Sequence, residues 1–136
     1  VRVKSPEESR ALFQRAKHAY REQDFWRTIE LCRAAVELSD DNDPELFHLL
    51  GKALSENPRW RKDAEKNLQI AHKLKPWEPR YLLALAKLYE KEGLQQRAQR
   101  TYEQIRAVDP MFSLKDDLEA AGKAADEIVV ETKTAS

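Results

Sequence analysis

A short basic stretch around an aromatic residue is the first feature of this sequence that could bind something. "ENPRWRKDA", residues 56–64, places Arg59, Arg61 and Lys62 on either side of Trp60. Cations beside an aromatic ring can hold nucleic acid through phosphate contacts and base stacking. The same letters after a proline can also form a turn. A patch for a protein partner is the third alternative, and the rest of the sequence must decide among them.

The overall charge argues against nucleic acid. Lys and Arg total 24, Asp and Glu also total 24, and the formal net charge is zero. A nucleic-acid-binding domain normally carries a strong positive excess, so any basic function here has to be local. No apolar run approaches the roughly 20 residues that a membrane-spanning helix needs. We therefore predict neither a nucleic-acid partner nor a membrane partner.

Histidine and cysteine side chains are the candidates for metal binding or nucleophilic chemistry. His18 and His48 could lie on neighbouring helices, but two imidazoles without a third ligand make a poor metal site. Cys32 is the only cysteine, which excludes an internal disulfide and fits a reducing, cytoplasmic setting. It stands between Ile29 and Val36 at a packing position, so we expect a buried, inert thiol.

Sequence signals for catalysis are missing. The chain has no glycine-rich phosphate loop, no His-Glu-x-x-His motif and no Gly-x-Ser-x-Gly motif. Its carboxylates are spread along the chain rather than arranged as an acid–base pair. We predict that the protein is not an enzyme and that it uses no metal and no cofactor.

Apolar spacing and composition predict helices. Only three glycines are present, and Leu82, Leu85, Leu88 and Tyr89 recur at intervals of three and four residues. "SPEE" at 5–8 has the form of a capped helix start with proline at the first helical position. The predicted helices cover residues 6–22, 25–38, 44–56, 60–74, 79–92 and 95–107.

The helices repeat with a period of about 34 residues. Pro44 and Pro79 are 35 residues apart, and Ala64 and Ala98 are 34 apart. A period of this size predicts stacked helical hairpins. The third copy reads Leu82-x2-Leu85-Ala86-x2-Tyr89, then Ala98-x3-Tyr102, then Pro110, and the second reads Phe47-x2-Leu50-Gly51-x2-Leu54, then Ala64-x3-Leu68, then Pro76.

These letters resemble the tetratricopeptide-repeat family, whose pattern is W-x2-L-G-x2-Y, then A-x3-F, then P. The first copy, Phe13-x2-Ala16-Lys17-x2-Tyr20, fits less well because Lys17 takes the place of the small residue. The resemblance implies an all-α superhelical array of antiparallel helix hairpins, with the basic stretch as the turn of the second hairpin. We expect three repeats over 1–112, at about 10–43, 44–78 and 79–112, then a capping helix at 113–130 and a disordered tail at 131–136.

The resemblance also implies a binding groove along the first helix of each hairpin. Carried over position by position, the groove residues are Gln14, His18, Arg21, His48, Lys52, Arg80, Leu83 and Lys87. Its cations, with any protonated histidine, favour an acidic peptide. Arg59, Arg61 and Lys62 form a possible second, basic edge. The family's clamp for heat-shock-protein C-termini would fall on Gln14, His18, Leu49, Arg80 and Ala84, of which only Arg80 keeps the chemistry, so we predict no such clamp.

We therefore predict a non-enzymatic module that binds a protein or peptide in the groove. The wording "DFWRTIELCRAAVEL…LLGKALSENPRWRKDAEKNLQIAHKLKPWEPRYLLALAKLYEKEGL" further resembles the repeat region of larger bacterial proteins, some with an upstream J domain. Because the chain opens with Val1, we expect a fragment of a larger scaffold or co-chaperone-like protein. The alternative is a structural spacer or self-association module, which would form a homodimer without a groove ligand.

Overall fold

In the computed structural model, which describes residues 3–39 and 43–112, six α-helices follow one another and no strand occurs among these residues. They are α1 (Pro6–Arg21), α2 (Phe25–Leu38), α3 (Pro44–Leu54), α4 (Arg61–Leu74), α5 (Pro79–Lys91) and α6 (Gln95–Val108), with a 3-10 turn at Pro58–Trp60 before α4. Each bound differs by at most two residues from the predicted one. The expected capping helix at 113–130 and tail at 131–136 lie outside the described residues.

Local sequence explains where the helices begin. The Ser5 hydroxyl accepts a hydrogen bond from the Glu8 backbone N–H, and the Asp43 carboxylate accepts one from the Glu45 N–H. Proline occupies the first turn of α1, α3 and α5, where its missing N–H costs nothing. These starts depend on neighbouring residues only, which is why they could be predicted.

The six helices form three antiparallel hairpins in chain order. α1 packs on α2, α3 on α4, and α5 on α6, while α2–α3 and α4–α5 contacts join successive hairpins. The first helices also touch directly, α1 with α3 and α3 with α5. This is the predicted all-α hairpin array. No helix in the described part of the chain is both long and apolar enough to cross a membrane.

α3 and α4 approach each other closely at Gly51. A Cβ added to Gly51 would lie 2.6 Å from Cγ of Leu68 and 3.2 Å from the Ala64 carbonyl oxygen. Leu68 and Ala64 are themselves fully buried. Only a residue without a side chain lets these two backbones approach so closely.

Cys32 belongs to the same core. Its side chain is fully buried and forms no disulfide. Burial raises the pKa of the thiol to about 12, so the thiolate form is not populated near neutral pH. The prediction of a buried cysteine is confirmed.

Candidate functional site

The turn of hairpin one shows that the predicted alignment of copy one is wrong by one residue. After α1, the Asp24 N–H bonds to the Ala19 carbonyl at 2.9 Å, and after α5 the Leu94 N–H bonds to the Tyr89 carbonyl at 2.9 Å. Ala19, and not Tyr20, is therefore the equivalent of Tyr89. The predicted alignment of Tyr20 with Tyr89 made the turn of hairpin one shorter by one residue than that of hairpin three.

With the corrected alignment, every hairpin has a small residue at its closest helix contact. Ala16, Gly51 and Ala86 are spaced by 35 residues and are all buried. Lys17 no longer replaces the small residue, because it lies one position further along the helix. The constant spacing of these three small residues is visible in the sequence and is the signal that the prediction missed.

On the groove side of α1, α3 and α5, residues that are 35 apart occupy equivalent positions, and each such set of three forms a row. Lys52 on α3 contacts Tyr20 on α1, and its ammonium lies 4.8 Å from the centroid of the Tyr20 ring. Equivalent positions form four rows: Arg10, Glu45 and Arg80; Phe13, His48 and Leu83; Lys17, Lys52 and Lys87; and Tyr20, Ser55 and Glu90. We call Lys17, Lys52 and Lys87 the lysine row.

Two predicted groove residues of hairpin one lie outside the four rows. Gln14 and His18 line a cavity of about 360 Å³ with Glu22 and Arg27, and Gln14 also lines a cavity with Asp43 and Leu46 of hairpin two. Their equivalents in hairpin two are Leu49 and Ala53, which are buried against hairpin one. In hairpin one the corresponding surface is exposed, and polar residues occupy it.

His18 is exposed and lies 3.9 Å from the carboxylate of Glu22, whereas His48 is buried beside Tyr81. The structure therefore does not bring the two histidines together. Within the described residues, no group of three or more His, Cys, Asp or Glu side chains could hold a metal ion.

Arg21, another predicted groove residue, is exposed in the last turn of α1. Its equivalents in hairpins two and three are Glu56 and Lys91.

Glu45 on α3 is the centre of a polar network that joins hairpins two and three. It accepts a hydrogen bond from the Tyr81 hydroxyl at 2.9 Å and another from the Arg80 guanidinium, which also bonds to Glu78. Burial raises the pKa of Glu45, but the bonds from Tyr81 and Arg80 outweigh it and hold the pKa below its usual value. Arg80, expected to be a free cation of the groove, is instead paired with two carboxylates of its own chain.

His48 is only 8% exposed, and its ring lies 4.9 Å from the ring of Tyr81. Burial, followed by the positive charge of Lys52, lowers its pKa to about 4, although Glu45 lies 3.6 Å away. His48 is therefore neutral near pH 7. The expectation that it adds positive charge to the groove is wrong.

Among the described residues, the lysine row takes part in no salt bridge, although the negative charge of Glu45 acts on Lys52. Lys17 lies 4.8 Å from the ring centroid of Phe13, Lys52 contacts Tyr20, and Lys87 is exposed. None of the three lysines forms an ion pair within the described residues. Burial lowers the pKa of Lys52, and the positive charge of Lys87 acts in the same direction against the opposing charge of Glu45.

The carboxylates on this side, by contrast, already have partners. Glu56 bonds to Lys91 at 3.1 Å, and Glu90 accepts a hydrogen bond from the Tyr102 hydroxyl. Glu45 is held by Arg80 and Tyr81, as described above. Glu90 keeps its negative charge, because the Tyr102 hydroxyl is a neutral donor, and none of these carboxylates forms an ion pair with the lysine row in the described residues. Leu83, between Arg80 and Lys87 in sequence, is half-buried and packs against the core.

The basic stretch forms the turn of hairpin two, as the repeat alignment predicted. α3 ends at Leu54, and the Asn57 side chain accepts a hydrogen bond from the Arg59 N–H at 3.0 Å. Trp60 packs against the core, and its ring centroid lies 5.4 Å from that of Trp26. The ring therefore has a packing role in the turn.

The three cations of this stretch have different surroundings. Arg61 donates a hydrogen bond to the Lys91 carbonyl at the end of α5 at 3.3 Å. The positive charge there lies at the negative end of a helix dipole, which is favourable. Arg59 and Lys62 are exposed and form no ion pair within the described residues. Of the predicted basic edge, only these two are free to contact a partner.

Replacing Arg61 with alanine should lower the free energy of unfolding by about 1 kcal/mol, because the α5 carbonyl then loses a charged donor. Lys62→Ala, one residue away and exposed, should change it by less than about 0.5 kcal/mol. Urea denaturation followed by circular dichroism measures both. Equal effects of the two substitutions would show that the Arg61–Lys91 contact contributes nothing.

No family model matches the sequence, and no curated protein is significantly similar to it. The finer resemblance to bacterial proteins with a J domain therefore stays a prediction. Solved structures do match. The first TPR domain of Spaghetti (RPAP3), bound to the HSP90 peptide SRMEEVD, is 14% identical, with a TM-score of 0.71 over 90% of this chain and 97% of that one.

The TPR domain of Sgt2 from Aspergillus fumigatus is 17% identical, with a TM-score of 0.68 over 90% of this chain and 86% of that one. Both structures consist of the same kind of helical hairpins. At these identities the similarity concerns the fold. The chain therefore has the all-α fold of tetratricopeptide-repeat domains, with α1, α3 and α5 as the first helices of its hairpins.

Proposed function

We propose that this protein is a non-enzymatic interaction module that binds an acidic peptide along α1, α3 and α5. The observation that carries the proposal is the lysine row. Lys17, Lys52 and Lys87 occur at one equivalent position of α1, α3 and α5, the first helices of three successive hairpins, and none of them forms an ion pair in the described residues. A ligand carboxylate would supply the missing charge at each step.

The RPAP3 domain supports a peptide ligand, since it has the same fold and is bound to an HSP90 peptide that ends in Glu-Glu-Val-Asp. The family's carboxylate clamp is a different matter. In the corrected alignment its positions fall on Phe13, Lys17, Leu49, Arg80 and Ala84. Only Arg80 keeps the chemistry, and Glu45 and Glu78 already occupy its guanidinium. We therefore propose recognition of acidic side chains rather than of a terminal carboxylate.

Charge reversal at the lysine row tests this function. A fluorescein-labelled glutamate-rich peptide should bind the wild-type protein, and Lys52→Glu with Lys87→Glu should weaken binding at least about tenfold, because two attractive charges become repulsive. Fluorescence anisotropy measures the affinity, and circular dichroism checks that the variant is folded.

The matched control reverses two cations outside the groove. Arg59→Glu with Lys62→Glu changes the net charge by the same amount but alters the turn of hairpin two. Binding of the peptide should stay within about twofold of wild type. An equal loss in both double variants would mean that net charge alone attracts the peptide, and the groove assignment would then be wrong.

Self-association is the second candidate function. Trp26, Trp77 and Met111 are 56%, 67% and 57% exposed, which is unusual for large apolar side chains and typical of contact surfaces. Light scattering over a concentration series separates the two functions. A constant monomer mass favours the peptide groove, and a stable dimer that ignores the acidic peptide favours self-association.

The cellular location of the protein and its role in a larger protein are part of the same proposal. A cytoplasmic location agrees with Cys32 as the single cysteine of the chain. A role within a larger scaffold or co-chaperone-like protein would use the module to hold a client or partner segment. Both statements rest on the sequence and on the proposed groove.

A further inference from the structure

The spacing of the lysine row contains information about its ligand. One lysine is contributed by each first helix, and neighbouring first helices are in direct contact, as the Lys52–Tyr20 contact shows for α1 and α3. The bond between Arg80 and Glu45 shows the corresponding contact between α5 and α3. Helices in contact have axes about 8–10 Å apart. The backbone positions of successive lysines therefore recur at about that distance.

Three regular peptide conformations would meet this spacing differently. A polyproline-II helix rises about 3.1 Å per residue with three residues per turn, so every third side chain points the same way at steps of about 9 Å. A β-strand alternates its side chains, so residues three apart point to opposite sides. An α-helix rises about 1.5 Å per residue and would need a seven-residue interval to cover about 10 Å.

We propose that the lysine row recognises an extended, polyproline-II peptide with an acidic residue at every third position. Each carboxylate would meet one of Lys17, Lys52 and Lys87. The inference rests on the proposed function and names the ligand of that same groove.

The neighbouring rows fit such a ligand. Phe13 and Leu83 are both half-buried and stand one helical turn from the lysines of their own helices. Tyr20 lies beside Lys52. Polyproline-II peptides dock on aromatic and apolar surfaces of this kind and lose little conformational freedom on binding. His48, between Phe13 and Leu83 in its row, is buried and adds no competing charge.

Competing charges on the same side are accounted for. Glu45 is hydrogen-bonded to Arg80 and Tyr81 and forms no ion pair with Lys52. The same bond leaves the Arg80 guanidinium occupied. Glu90, one turn from Lys87, is held by Tyr102. The three lysines are therefore available to a peptide carboxylate, as is the exposed Arg10 of α1.

Peptides of equal length, equal composition and equal charge, made from alanine, serine and glutamate so that each conformation stays accessible, test the inference. One carries glutamate at every third position, one at every second and one at every seventh within an otherwise identical frame. The every-third peptide should bind at least about fivefold tighter than the others, because only it aligns three charge pairs at once. Fluorescence anisotropy with labelled peptides measures the three affinities.

Lys52→Gln should remove most of the preference for the every-third peptide, because the middle pair is lost, while Lys62→Gln in the turn of hairpin two should retain it. Equal affinity for all three spacings would overturn the inference but leave acidic-peptide binding intact. A preference for the every-seventh peptide would overturn it in favour of a helical ligand. Failure of all three peptides to bind would overturn the proposed function as well.

Discussion

Truncation of Leu68 to alanine should lower the free energy of unfolding by about 2–5 kcal/mol, which is the usual cost of a large cavity in a core that cannot collapse. Leu68 on α4 is fully buried and lies under Gly51 of α3, at the closest approach of two helices. Urea denaturation measures the loss. Lys66→Ala, on the exposed side of the same helix, should change stability by less than about 0.5 kcal/mol.

The opposite change at the same contact should also destabilise the protein. Gly51→Ala would place a Cβ 2.6 Å from Cγ of Leu68, so the buried leucine must shift. Overpacking of this kind costs about 1–3 kcal/mol, and the gain in helix propensity returns at most about 1 kcal/mol. We expect a net loss of stability.

The double variant tests whether the two residues act through one contact. With Leu68 cut to alanine, the new methyl group of Gly51→Ala has room, so the two losses should combine to less than their sum by about 0.5–3 kcal/mol. Strict additivity would contradict the close approach of α3 and α4 at this point.

Acidification from pH 7 to pH 4 should lower the free energy of unfolding by about 3 kcal/mol through His48. Its pKa is 6.5 in the unfolded chain and about 4 in the folded one, mainly because of burial. One pKa unit corresponds to about 1.4 kcal/mol. Since the unfolded chain binds the proton more readily, stability is complete above about pH 6.5 and falls as the pH drops to about 4.

Glu45 acts in the same direction at the acid end. Its folded-state pKa lies below the usual value of 4.5, so the stability it contributes is lost as the pH falls through that lower pKa. The loss due to His48 therefore comes first, and that due to Glu45 follows at lower pH. Chemical denaturation at a series of pH values separates the two ranges.

His48→Gln should flatten the pH dependence between about pH 6.5 and 4, whatever its effect on stability at pH 7. The matched control is His18→Gln, which removes an exposed imidazole next to Glu22. It should follow the wild-type curve. If His48→Gln kept the wild-type slope over this range, the buried, neutral histidine between α3 and α5 would be refuted.

The helices and their stacking could be predicted because their signals are local or periodic. Pro6, Pro44 and Pro79 mark helix starts, and the apolar residues recur at helical intervals. The turns were harder, since hairpins one and three have turns of three residues and hairpin two has a longer one. The predicted alignment matched Tyr20 to the tyrosine of the repeat pattern, and the first copy slipped by one residue. The bond from the Asp24 N–H to the Ala19 carbonyl corrects it.

Sequence alone determined the fold class and the helix bounds to within two residues. Only the tertiary structure decided which of these charges remain free. Arg80 meets Glu45 from 35 residues away, Arg61 meets the Lys91 carbonyl, and His48 loses its proton through burial beside Tyr81. The physical reason is that ion pairing and desolvation depend on distance and burial, which are properties of packed helices rather than of neighbouring letters. The lysines of the lysine row are among the cations that form no ion pair in the described residues.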